Sequence, residues 1–185
     1  MMHAPVRTVA PAERPVTLAE VKVHLDELAS DRDERITLLI KAATEHLDGW
    51  SGVLGRALVD QTWRQDFDGF APTLRLPMPA EAVVGVTYLD VSGATQTIAP
   101  ANYVLKRDAL GSFVTPAYDY QWPDARAQVG AVSVTFDAGW DADDVPYPLR
   151  AAICLLVRHL YDNPEGGDLP VAVGALIAPY VLKTV

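Results

Sequence analysis

Residues 35–67, RITLLIKAATEHLDGWSGVLGRALVDQTWRQDF, change their hydrophobic period midway, and that change decides the fold class. In the first half Ile36, Leu39, Ile40, Ala43, Leu47 and Trp50 recur at steps of three and four, which predicts a helix over 34–51 with one apolar stripe. Gly49, Gly52 and Gly55 end it. From Ala57 the period becomes two: Ala57, Val59, Trp63 and Phe67 alternate with Leu58, Asp60, Thr62, Arg64 and Asp66, as a half-buried strand should.

Upstream, Thr17-Leu18-Ala19-Glu20 is a capping box, since the threonine can accept from the amide of Glu20 while the glutamate reaches back to the cap. It opens a helix over 17–28 whose apolar positions are Leu18, Val21, Leu25 and Leu28. Ser30-Asp31-Arg32-Asp33 separates the two helices by a short loop, so they are expected to pack as a hairpin. Residues 1–16 carry Pro5, Pro11 and Pro15 and no periodicity, and read as a flexible or extended arm.

Downstream, strands are expected at 73–76, 82–90, 96–98, 103–107, 111–114 and 129–136, separated by turn signals such as Ser92-Gly93 and Trp122-Pro123. A third helix over 147–162 follows Val145-Pro146, with Leu149, Ala152, Ile153, Leu156, Val157 and Leu160 on one face. The order is helix, helix, strands, helix, tail. This is an α+β chain: a small helical bundle of two N-terminal helices and a C-terminal one, with an inserted antiparallel β region over 56–137 and an extended C-terminal tail. One domain spans 17–163, and residues 164–185 form a hinge and tail.

Composition narrows the function. A net charge of −9 lacks the basic footprint of ordinary nucleic-acid binders. No apolar run approaches the roughly 18–20 residues that cross a bilayer, so no membrane role is expected. The single cysteine, Cys154, excludes an intrachain disulfide framework and suits a reducing cytosol. His3, His24, His46 and His159 form no HxxxH or HxH pattern. Cys154 and His159 lie five residues apart on one helix and face different directions. Asp137, Asp141, Asp143 and Asp144 miss the spacing of a calcium loop. No catalytic, cofactor-binding or metal-binding residue is expected, and the chain does not read as an enzyme.

Four stretches together resemble the head–tail connector (adaptor) proteins of long-tailed phages and phage-like gene transfer agents. They are Pro15–Leu25, Arg35–Trp50, Leu74–Pro79 with Val83–Asp90, and Val132–Trp140 followed by Val145-Pro146 and Leu149–Tyr161. The resemblance covers residues 16 to about 163. It implies a non-enzymatic ring, commonly of twelve subunits, beneath the portal protein and above downstream stopper or tail proteins. DNA would pass through its channel without sequence-specific binding. The expected place is the neck of a virion or phage-like particle, with the subunit made in the bacterial cytoplasm. The family has no catalytic residues, so none are carried over.

Two surfaces are candidates for contact. The tail behind Gly166-Gly167 holds Val173, Leu176, Ile177, Tyr180 and Leu182, which can fold back on the third helix or clip onto another chain; the clip is the reading adopted. Tyr118, Tyr120 and Trp122 share one loop that suits a subunit interface. Two alternatives stay open: another neck or tail component, such as a stopper or tail terminator, and a ligand-binding β module built on those aromatics.

Overall fold

The structure is a computed structural model that describes residues 1–165 and 167–182. The chain divides into two compact units, neither continuous in sequence. Among the described residues, a β unit joins Met1–Ala12 to Asp60–Gly139, and a helical unit joins Glu13–Val59 to residues 140–182. The single domain expected over 17–163 therefore spans parts of both.

In the helical unit, α1 (Leu18–Leu25) starts on the expected capping box, with both reciprocal hydrogen bonds of Thr17 and Glu20 formed. It stops three residues earlier than the apolar spacing suggested. Asp26 adopts a left-handed conformation (φ 57°), and its amide donates back to the Lys22 and Val23 carbonyls. Leu28 is thereby left in the α1–α2 loop rather than on the stripe.

Helix α2 (Asp33–Leu47) buries Ile36, Ile40, Ala43 and Leu47. It too ends earlier than expected, because the Gly49–Arg56 turn takes over its last carbonyls: Val53 N–H donates to His46 O and Leu54 N–H to Leu47 O. Gly52 is required there, since a Cβ would stand 2.3 Å from the Asp48 carbonyl oxygen. Asp48 Oδ1 then accepts from the Leu58 amide at 2.7 Å, fixing how the chain leaves the turn.

Helix α3 (Tyr147–Asp162) matches its expected span and buries Leu149, Ala152, Ile153, Leu156 and Val157. These side chains join the α2 stripe, Val16, Val21, Leu54 and Leu58 in one hydrophobic core. Around it, Arg150 pairs with Glu20 of α1, and the Arg35 guanidinium lies 4.8 Å over the Tyr161 ring.

The β unit holds eight antiparallel strands in two sheets, ordered β1-β2-β8-β4-β5 and β3-β7-β6. The strands are β1 (Val6–Val9), β2 (Gln61–Phe67), β3 (Leu74–Arg75), β4 (Ala82–Leu89), β5 (Thr95–Ile98), β6 (Tyr103–Asp108), β7 (Gly111–Pro116) and β8 (Val132–Ala138). Seven occupy the regions read from the sequence. The eighth, β1, lies in the segment expected to be a flexible arm. It pairs with β2 at the edge of the larger sheet, Val6 opposite Arg64 and Arg7 opposite Trp63. Further contacts hold the arm: His3 N–H donates to Asp66 O, Gln65 Nε2 donates to His3 O at 2.6 Å, and His3 Nε2 lies 2.6 Å from Asp68 Oδ1.

Strands β2 and β8 show strict in–out alternation, so each turns one face inward. Trp63, Phe67, Val132, Val134 and Phe136 are buried, with Gln61 and Gln65 as buried polar members of the same β2 face.

Candidate partner-contact surfaces

The tail does not run out as an extended clip. Pro170 caps a short helix, α4 (Val171–Ile177), followed by a 3₁₀ turn over Ala178–Tyr180. Val173 and Ile177, one helical turn apart, are only 2% and 7% exposed and belong to the helical unit's own core. Leu176, Tyr180 and Val181 are partly buried against the same core. The physical reason is spacing: Val173, Leu176 and Ile177 make one narrow apolar face, and α3 supplies a matching surface within the subunit. Of the expected hinge, Gly166 lies outside the described residues.

The end of this segment is strapped to the turn after α2. Leu182 N–H donates to Leu54 O at 3.0 Å. The Tyr180 ring meets Trp140 edge-on at 6.5 Å. Arg56 lies 4.7 Å over the Trp140 ring and reaches the Tyr180 carbonyl. Arg56 and Trp140 were absent from the candidate residues; their signal was only a basic residue beside a glycine turn and an aromatic directly after a glycine.

Between the end of α2 and the tail lies a groove of about 450 Å³. Leu47, Val173 and Ile177 line it, together with Val53, Leu169 and Val171, which are exposed. Sequence reasoning did not single out these three rim residues. Val53 and Leu169 are isolated apolar positions in loops and Val171 opens α4, with no shared period to reveal that they converge.

The aromatic loop separates into two parts. Trp122 stacks on Phe70 at 4.8 Å, and its indole N–H donates to Ala71 O at 3.0 Å. Tyr120 packs edge-on against Trp122 at 6.2 Å. Tyr118 is fully exposed and does not join them.

The chemistry-bearing residues do not converge. Burial, and then the neighbouring Glu20 carboxylate, push the Cys154 thiol up, away from nucleophilic thiolate character. His159 hydrogen-bonds to Asn163 on the same helix end. Asp137 accepts from Thr62 across β2 and β8. Among the described residues no group of three or more His, Cys, Asp or Glu side chains is placed to hold a metal ion. No described helix is long and apolar enough to cross a membrane.

The structure is that of an α+β protein with an exposed apolar groove at the end of α2. Solved structures with the same fold come from gene transfer agent (GTA) particles. A chain in the neck of an empty GTA particle, computed with C6 symmetry, superposes with a TM-score of 0.80 at 22% identity, over 99% of this chain and 97% of that one. A chain in the virion of a native GTA particle gives 0.78 at the same identity and coverage. A chain in the neck of a native particle, computed with C12 symmetry, gives 0.71. No protein-family model matches the chain, and no curated protein matches its sequence.

Proposed function

We propose that this chain is a structural subunit of the neck of a gene transfer agent or tailed-phage particle, and more finely a head–tail adaptor. In this reading identical copies form a ring, of twelve subunits, beneath the portal protein and above stopper or tail proteins. The ring continues the path of the DNA without reading its sequence, and no catalytic step belongs to the protein.

One observation carries the reading. The likeness to the neck chain extends over 99% of this chain, so it takes in the helical unit, the inserted β unit and the α4 tail together. A shared helical hairpin alone would be a common motif; this interrupted order of elements is not. The symmetries of the related necks support a ring, and the net charge of −9 suits a lining along which DNA slides. The stacking of Trp122 on Phe70, and of Tyr120 against Trp122, favours a packing role for two of the three aromatics that motivated the ligand-binding alternative.

The test is deletion of the gene in a strain that makes the particle. The expected result is DNA-filled heads and free tails that fail to join, with joining restored by the gene supplied on a plasmid. Normal particles from the deletion strain would overturn the proposal.

A further inference from the structure

Strand β1 lies at the edge of the larger sheet and is held there by its backbone. All four of its side chains are exposed, so burial of apolar surface gives the strand little hold. The buried residue of the arm is Pro5, just before the strand. What fixes the arm is the β2 edge: Val6 stands opposite Arg64, Arg7 opposite Trp63 and Val9 opposite Thr62. Beside the strand, Gln65 Nε2 donates to His3 O, and His3 Nε2 meets Asp68 Oδ1. These receiving residues are the same in every copy. The arm of a second copy would therefore find the same register and the same hydrogen bonds, with no new complementarity to build.

The connection out of the arm suits an exchange. Met1–Ala12 belong to the β unit, and Glu13 opens the helical unit. Between Val9, the last strand residue, and the buried Pro15 and Val16 run residues 10–14, none of them buried. Pro11 and Pro15 fix their own φ and disfavour helical backbone at Ala10 and Arg14, which favours an extended strap over a compact turn. Releasing the strand thus removes no side chain of β1 from a core. Strands β2 and β8, with one face buried along their whole length, have no such freedom.

We propose that in the assembled ring each copy lays its β1 on the β2 edge of the next copy, in the place that the neighbour's own β1 has left. This assignment rests on the ring reading of the preceding subsection. It supplies the heterologous contact that a closed ring of identical chains needs, because every copy donates one arm and receives one. Exchange leaves the set of ladder hydrogen bonds unchanged. The free subunit therefore keeps its arm at home, and the tie forms where neighbouring copies stand close.

The experiment uses the full chain carrying Cys154→Ala, so that introduced cysteines are its only thiols. Val6→Cys and Arg64→Cys face each other across β1 and β2 at exposed positions, so the reduced protein should keep the circular dichroism and melting temperature of its parent. Oxidised as a dilute subunit, the pair should close within the chain. These locked subunits should lose ring formation, alone and on portal rings, as read by mass photometry and negative-stain microscopy, and a thiol reductant should restore it. Oxidised after assembly, the same pair should join neighbouring chains and give a ladder of covalent oligomers on a non-reducing gel. Val9→Cys with Thr62→Cys, further along the same two strands, repeats both measurements with a second pair.

Locked subunits that form rings as well as reduced ones would overturn the exchange while leaving the ring reading intact. So would assembled rings whose cross-links all lie within single chains, or whose thiols stay free. A wild-type chain that forms no ring, alone or on the portal, would instead remove the ring reading on which the exchange depends.

Discussion

At the scale of single residues, the clearest electrostatic statement concerns Asp108. Arg75 Nη1 and Nη2 donate to its two carboxylate oxygens at 2.9 and 2.6 Å. That pairing, helped by the Leu110 and Gly111 amides, lowers its pKa from 3.8 to about 2. Asp68 is lowered to about 2 chiefly by the hydrogen bond with His3, and Asp90 likewise chiefly by the Ser92 hydroxyl. All three lie in the β unit. The sign follows from linkage: a carboxylate whose pKa falls on folding contributes in full above its unfolded value of 3.8. The contribution is lost as the pH drops through about 2. The carbonyl carbon resonance of Asp108 should therefore titrate near 2, and Arg75→Met should move its midpoint up toward 3.8. A wild-type midpoint already at the higher value would show that the pair does not hold in solution. Leu28 belongs to this scale as well, because one left-handed residue, Asp26, decides whether that leucine ends on a helix face or in a loop.

Among the elements, α4 has the most to say about stability. Ile177 sits in the core with Val173 and the α3 stripe, so Ile177→Ala should cost about 2–5 kcal/mol in urea unfolding. Leu156→Ala, at the centre of α3, should fall in the same range. Removing everything after Gly167 should cost more than Ile177→Ala alone, because it uncovers the α3 surface that α4 protects. A truncated subunit with an unchanged melting temperature would mean that the tail is held by something other than its own core. The same element marks the limit of what the sequence discloses. The helical spacing of Val173, Leu176 and Ile177 is plain in the chain, but a short apolar face says nothing about whose surface it covers. Strand β1 was hidden for a related reason. Its four residues sit between Pro5 and Pro11, and the pairing that orders them comes from β2, more than fifty residues away. By contrast α2, α3 and the strand regions from β2 to β8 were readable, since each carries its own period and its own turn residues. The groove had no local pattern, being assembled from the end of α2, the turn after it and the distant α4.

For the molecule as a whole, charge opposes the assembly proposed above. Subunits of net charge −9 repel one another, and only apolar contact or local ion pairs can offset this. Raising salt shortens the screening length from about 30 Å at 0.01 M to about 8 Å at 0.15 M. Ring formation at fixed protein concentration should therefore increase over that range, as sedimentation or mass photometry can read. A decrease would assign the contact between copies to attractive charges and away from apolar surface. The interrupted layout of the two units also governs the order in which a ribosome can complete them. Every strand of the β unit has been synthesised by Gly139, whereas α1 and α2 still lack the half of their core that α3 and α4 provide. A nascent chain thus carries two helices with bare apolar faces throughout synthesis of the β unit. Helix α4, made well after the β unit, closes the helical core and, with it, one wall of the groove.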